Sequence, residues 1–310
     1  NTATVACLLP VVVQICAAAK LSASSQLMSL AVAANVGGTI TLIGTPPNIL
    51  MSATLENSGM TPFGFFEFAW IGIPLSLMGM LYMMTMGRRL CPHDNVDTVA
   101  SDSTSEAPGN SKKMMVCAGI LCGVVLAMVF EKQINVPMHV SSVIGALACV
   151  LTGCLSEKQA YKGVDWTTIF LFAGMLPLAS AMDKTGAGGM IANTVVDMIG
   201  GNPDPMVIVV AMFLLSCGLT QFMSNTASAA LLAPIGLSIA QSIGVSPLPI
   251  LMTIGIAASC AFTTPVATPP NTLVLGPGKF RFMDYVKIGT PLVAFSLAVC
   301  MLVIPAVWPF

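Results

Sequence analysis

The sequence predicts an all-α integral membrane fold made of two inverted repeats, each with a re-entrant hairpin and a membrane helix broken at mid-length. Three observations predict it. First, hydrophobic residues make up 55% of the 310-residue chain, charged residues only 8%, and mean hydropathy is +0.87; a water-soluble domain of this size does not show that balance. Second, one string of small polar residues and helix breakers occurs twice. Asn1-Thr2-Ala3 is followed by Thr45-Pro46-Pro47-Asn48, and Ser224-Asn225-Thr226-Ala227 is followed by Thr268-Pro269-Pro270-Asn271. The shift is 224 from Asn1 to Asn225 and 223 from Thr45 to Thr268, so about 48 residues align with one single-residue gap. Third, both strings interrupt apolar sequence, where hydrocarbon offers unpaired backbone groups no water. The likeness continues beyond them: Pro10 matches Pro234, Phe65-Phe66-Glu67-Phe68 matches Phe282-Met283-Asp284-Tyr285, and Gly72-Ile73-Pro74-Leu75 matches Gly289-Thr290-Pro291-Leu292.

The elements follow in order. Residues 1–86 read as the C-terminal part of the first repeat: half a hairpin over 1–20, a helix broken at Gly37-Gly38-Thr39 and again at Gly44-Thr45-Pro46-Pro47-Asn48, and one further apolar helix. The chain opens inside a motif whose twin has a Ser and a long apolar approach before it, so it reads as a fragment with a comparable block expected ahead of Asn1. Residues 87–113 hold Arg88, Arg89, Lys112 and Lys113 with Pro, Ser, Thr and acidic residues between them, too polar to pack, and read as a flexible linker. Residues 114–310 form the second repeat. Its apolar runs 114–130, 140–155 and 167–182 predict three helices. The Gly-rich stretch 183–205, with an apolar face through Met190, Ile191, Val195, Val196 and Ile199, predicts an interfacial helix. The arms flanking Ser224-Asn225-Thr226 are each about 17 residues long, too short for two full crossings joined by a loop, so 206–243 reads as a re-entrant hairpin. The run 247–275 must break at Thr263-Thr264-Pro265 and Thr268-Pro269-Pro270-Asn271, because a Pro pair removes two donors and bars the preceding residue from helical geometry. A last helix spans about 286–308. An odd number of crossings separates the two copies, so they insert in opposite senses.

Ten of the twelve cations fall on one side of this topology, so loops 87–113, 156–166 and 276–287 are expected in the cytoplasm, leaving Lys132 and Lys184 outside. A net charge of −1 without a basic aromatic surface gives no reason to expect nucleic acid. The ten Cys never form CxxC and read as small packing residues. Glu67, Asp165 and the Asp183-Lys184 pair sit at segment ends as caps or interface charges, and neither His93 nor His139 is placed for proton relay. Nothing points to an enzyme or an organic cofactor.

Hairpin tips and broken helices leave free N–H groups at helix N-termini and free C=O groups at C-termini, and these need ligands. Carbonyl, Ser, Thr and Asn oxygens suit a hard monovalent cation such as Na+; N–H groups, hydroxyls and N-terminal dipoles suit carboxylate or sulfate oxygens. No Lys, Arg, Asp, Glu or His lies in the motifs, so an anion held there would be held by neutral dipoles. Desolvating a bare dianion is costly, and co-entry of Na+ offsets that cost. A single such motif would read as helix-to-helix glue; the duplication at matched spacing favours a site.

With these residues in view, the chain resembles the divalent anion/Na+ symporter family, the carriers of dicarboxylates, citrate and sulfate. The resemblance runs through essentially all 310 residues and rests on the paired motifs. It implies an inverted-repeat transporter with a scaffold domain and a mobile transport domain, working by an elevator movement, usually as a homodimer. By motif position it implies substrate contacts at Ser224, Asn225, Thr226, Thr268 and Pro269 in the second half and at Asn1, Thr2, Thr45 and Pro46 in the first. It implies one Na+ site at Asn1 and the carbonyls near Gly44, and another at Thr220, Asn225 and the carbonyls near Met223 and Ala267. The Ser expected before Asn1 and the first arm of that hairpin are absent, which leaves the first Na+ site incomplete in this chain. Two rivals remain: an anion exchanger or other member of the wider ion-transporter superfamily, and a non-transporting membrane scaffold subunit.

Overall fold

The computed structural model describes residues 1–19, 21–92, 111–134, 136–164 and 204–310, with isolated positions between 166 and 194. Every element among the described residues is helical: α1 Thr2–Ala19, α2 Ala23–Gly37, α3 Pro46–Asn57, α4 Ala69–Tyr82, α5 Ser111–Val129, α6 Met138–Leu151, α7 Glu157–Gly163, α8 Pro205–Thr220, α9 Asn225–Ile243, α10 Pro247–Ser259, α11 Pro269–Leu275 and α12 Phe282–Val307. Both ends of the stretch 87–113 expected as a linker are helical: α4 continues through a π turn, Met83–Gly87, to Leu90, and α5 starts at Ser111. Residues 93–110 and most of the expected interfacial helix 183–205 lie outside the described residues.

Local chemistry sets these boundaries. Proline occupies the first or second position of α3, α8, α10 and α11, where a missing N–H costs nothing. Side-chain oxygens of Asp204, Ser224 and Ser246 cap α8, α9 and α10. Gly244 ends α9 at φ 71°, a left-handed conformation that glycine adopts without strain. Among the described residues, four helices are long and apolar enough to cross a membrane: Thr2–Ala19, Ala69–Leu90, Asn225–Ile243 and Phe282–Val307. At 19 residues, α9 is thus longer than a hairpin arm needs to be.

The chain separates into two compact units, residues 1–99 with 170–310, and residues 100–169. In the smaller unit α5 packs on α6, with Gly145 against the Val124 side chain, and α7 follows α6. The larger unit contains pieces of both sequence repeats, and its packing is paired. Helix α1 packs on α2 as α9 does on α10, and α2 on α4 as α10 does on α12. Across the repeats, α3 packs on α9 and α10, while α11 packs on α1 and α2; α4 and α12 pack on each other. Residues 249–262, through α10 and into the break beyond it, are buried without interruption, as befits a helix that is apolar on all faces.

Candidate functional site

The two helix breaks are built alike. In the first, α2 stops at Gly37, two tight turns cover 38–40 and 42–44, and Thr45 is extended before Pro46 starts α3. In the second, α10 stops at Ser259, residues 260–268 are not helical, and Thr268 is extended before Pro269 starts α11. Each break is latched by the asparagine of its own motif. Asn48 Nδ2 donates to the Thr41 carbonyl at 3.0 Å, and Asn271 Nδ2 donates to the equivalent Thr264 carbonyl at 2.9 Å and to that of Ala261 at 2.8 Å. Each is also pressed by a bare glycine of the following helix: Gly72 lies against Thr39 and Ile40, and Gly289 against Phe262 and Thr263, the aligned residues of the other copy.

The breaks meet across the repeats. Thr45 Oγ1 lies 3.2 Å from Ser259 Oγ at the end of α10, and Thr268 Oγ1 accepts from Asn35 Nδ2 at the end of α2, at 3.4 Å. Asn1, Gly38, Gly44 and Thr45 come together: a Cβ on Gly38 would strike Asn1 Oδ1 and the Thr45 methyl, and one on Gly44 would strike the Gly38 backbone. At the hairpin tip, Thr220 Oγ1 lies 2.9 Å from Asn225 Oδ1 and 2.8 Å from the Ala258 carbonyl. Ser224 and Met223 are exposed at the tip, Thr226 is buried in the first turn of α9, and Ala267 is buried just before Thr268. Pro46 and Pro269 are exposed at their helix starts, and Thr2 is exposed on α1.

The donor inventory departs from what sequence suggests. Free N–H groups were expected at the start of both broken-helix halves, but Pro46, Pro47, Pro269 and Pro270 have none. The next N–H groups, of Asn48 and Asn271, bond back to the Thr45 and Thr268 carbonyls. Neither threonine hydroxyl caps its helix, so the start of each broken-helix half offers a hydroxyl in place of the N–H groups its prolines lack. On α9, Ala227 N–H goes to Ser224 Oγ and Ser228 N–H to the Ser224 carbonyl, leaving those of Asn225 and Thr226 at the helix start.

The citrate transporter family matches this chain over residues 1–235 and again over 190–310. The chain belongs to the citrate transporter family. This agrees with the divalent anion/Na+ symporter resemblance of its motifs, and makes it a transporter-family membrane protein, not an enzyme. It is 41% identical over 214 residues to the uncharacterized transporter YfbS of Escherichia coli K12, an alignment covering 68% of this chain and 33% of that protein. It is 32% identical over 316 positions to an uncharacterized transporter of Haemophilus influenzae, with 93% and 65% covered. It is 26% identical over 310 positions to the sodium-dependent dicarboxylate transporter SdcS of Staphylococcus aureus, with 92% and 59% covered. The chain therefore spans between one third and two thirds of the length of these relatives.

In this citrate transporter family member, further polar residues hold the motifs in place. Gln221, buried at the hairpin tip, donates to the carbonyls of Cys217 at 2.9 Å and Cys260 at 3.2 Å and accepts from Thr263 N at 3.1 Å and Thr263 Oγ1 at 2.6 Å. Thr264 Oγ1 donates to the Gln221 carbonyl, so tip and break form one hydrogen-bonded piece. Asn35, Gln221 and Ser259 lie outside the sequence-derived site; the signal that could have found the first two is a lone amide within an apolar run. A cavity of about 610 Å³ lies between α2 and α4 and borders the first break, with Gly37, Ile40, Ser29, Ser76 and Arg88 among its lining. In the second repeat the corresponding position, beside α10 and α12, is taken by α8, which packs on both.

Proposed function

We propose that this chain forms the two-repeat core of a secondary carrier moving small dianions, such as succinate, malate, citrate or sulfate, across the cytoplasmic membrane together with Na+. The observation that carries the reading is the cross-repeat meeting of the breaks, Thr45 with Ser259 and Thr268 with Asn35. Two broken helices from opposite halves converge there, and the groups the motifs supply among the described residues are neutral oxygens, hydroxyls and the first N–H groups of α9, which suits a midplane substrate site. The matched packing of the two halves supports the inverted repeat, with residues 1–86 and 114–310 as its members.

The Na+ part rests on a cluster of oxygens. The Thr220 hydroxyl sits within bonding distance of both the Asn225 side chain and the Ala258 carbonyl. Hydroxyl, amide and backbone carbonyl oxygens gathered in this way suit a hard monovalent cation. The carbonyls near Met223 and Ala267 would complete this site; Asn1 with the carbonyls near Gly44 would form the other. The substrate would contact Ser224, Asn225, Thr226, Thr268 and Pro269, with Asn1, Thr2, Thr45 and Pro46 opposite. The similarity to sodium-dependent dicarboxylate transporters points the same way. We read the re-entrant hairpins and breaks as the moving part of an elevator-type cycle in a homodimer, with loops 87–113, 156–166 and 276–287 in the cytoplasm.

Proteoliposomes holding the complete carrier test this with labelled succinate, malate, citrate and sulfate under an inward Na+ gradient or a K+ gradient. At least one anion should accumulate, and only with Na+. Uptake of an anion equally in both would remove symport and leave exchange; uptake of none, by a folded protein, would sink the carrier reading.

A further inference from the structure

Asn35 lies in the last turn of α2, fully buried and outside both duplicated motifs. We propose, resting on the reading of Thr268 as a substrate contact, that Asn35 is a positioning residue which turns the Thr268 hydroxyl so that its proton faces the anion. The polarity can be traced atom by atom. Asn271 spends its two amide protons on the Ala261 and Thr264 carbonyls, so its Oδ1 faces Asn35. That fixes the Asn35 amide with Nδ2 on this side: one proton goes to Asn271 Oδ1 at 3.1 Å and the other to Thr268 Oγ1 at 3.4 Å. The Thr268 oxygen is then an acceptor toward Asn35, and its own proton is directed elsewhere. Because Pro269 and Pro270 strip α11 of its first two N–H groups, this hydroxyl is the side-chain donor that the start of α11 can present to a carboxylate or sulfate oxygen.

Asn35 is a costly residue to bury. Its Oδ1 is buried without a hydrogen-bond partner, a cost that an apolar residue of the same shape would avoid. The first repeat lacks the same device. Thr45 faces Ser259, whose hydroxyl also lies 3.3 Å from the Gly255 carbonyl, and a pair of hydroxyls leaves the direction of the proton open. The two breaks are thus alike in backbone and unequal in polarity, with Thr268 the committed donor.

The test is a double-mutant cycle in proteoliposomes, using whichever of succinate, malate, citrate and sulfate the wild-type carrier takes up best. Thr268→Val should raise KM for the anion, and Asn35→Ala should raise it roughly tenfold while leaving kcat and the Na+ concentration for half-maximal uptake within about twofold. Asn35→Ala should add nothing on the Thr268→Val background, because its effect passes through the hydroxyl. Should Asn35→Ala fail to reach the membrane, Asn35→Ser carries the same test, with a smaller KM rise that also vanishes on Thr268→Val. An unchanged KM in the Asn35 variant beside a raised one in Thr268→Val overturns the proposal alone, as do effects that multiply in the double variant. An unchanged KM in Thr268→Val overturns the underlying reading of Thr268 as a contact.

Discussion

Asn225 is half-buried, and its side-chain oxygen lies beside the Thr220 hydroxyl, which the Ala258 carbonyl also faces. A residue placed this way supplies ligands and little packing, so Asn225→Ala should abolish uptake while the thermal unfolding midpoint of the purified carrier moves by only a few degrees. A collapse of expression would instead make Asn225 structural glue. Gln221 predicts the opposite balance. Its removal leaves the Thr263 N–H without its acceptor, and an orphaned donor costs about 1–3 kcal/mol; the Cys260 carbonyl loses one of its bonds but keeps the Phe262 N–H. Gln221→Ala should therefore lower the unfolding midpoint as well as uptake, and Gln221→Glu, which keeps the acceptor but loses the two donated bonds, should recover only part of both.

At the scale of the element the break is the proposed functional unit, and its shape depends on a glycine in the helix that follows. A methyl at Gly289 would meet the Phe262 carbonyl, and one at Gly72 the Thr39–Ile40 backbone. Backbone cannot swing aside as a side-chain tip can, so Gly72→Ala and Gly289→Ala should each destabilise by about 1–3 kcal/mol and raise the Na+ requirement of uptake. Gly218→Ala on α8, with nothing within 4 Å, is the matched control and should be tolerated in an unfolding assay. The helix breaks and the final helix were legible in the sequence because proline pairs, glycines and long apolar runs act locally. Glu67 stands just before α4 as a segment-end charge, where it accepts from Gly64 N–H and from the Trp308 indole and caps no helix. The partners across the repeats were not legible. Asn35 reaches Asn271 over 236 positions and Thr45 reaches Ser259 over 214, and periodicity carries no information about which helix end docks on which. The count of free N–H groups failed for a different reason: the residues that break the helix are the ones that lack the donor.

For the whole molecule, the cation bias predicts an orientation that labelling can read. In a cysteine-free background, Lys279→Cys and Lys158→Cys should react with a membrane-impermeant maleimide only from the cytoplasmic face, and Lys184→Cys only from outside. The reverse pattern would invert the topology without touching the site. The central claim is that a dianion and Na+ share one site of neutral oxygens, each making the other's binding possible. Linkage requires the coupling to be reciprocal. Its most direct measurement is calorimetric titration of the purified carrier with its transported dianion across a series of Na+ concentrations. The account predicts that anion affinity falls by roughly tenfold or more as Na+ is replaced by choline, a coupling within or above the usual range, and that Na+ affinity rises by the same factor when the anion is present. An anion affinity indifferent to Na+ would contradict it.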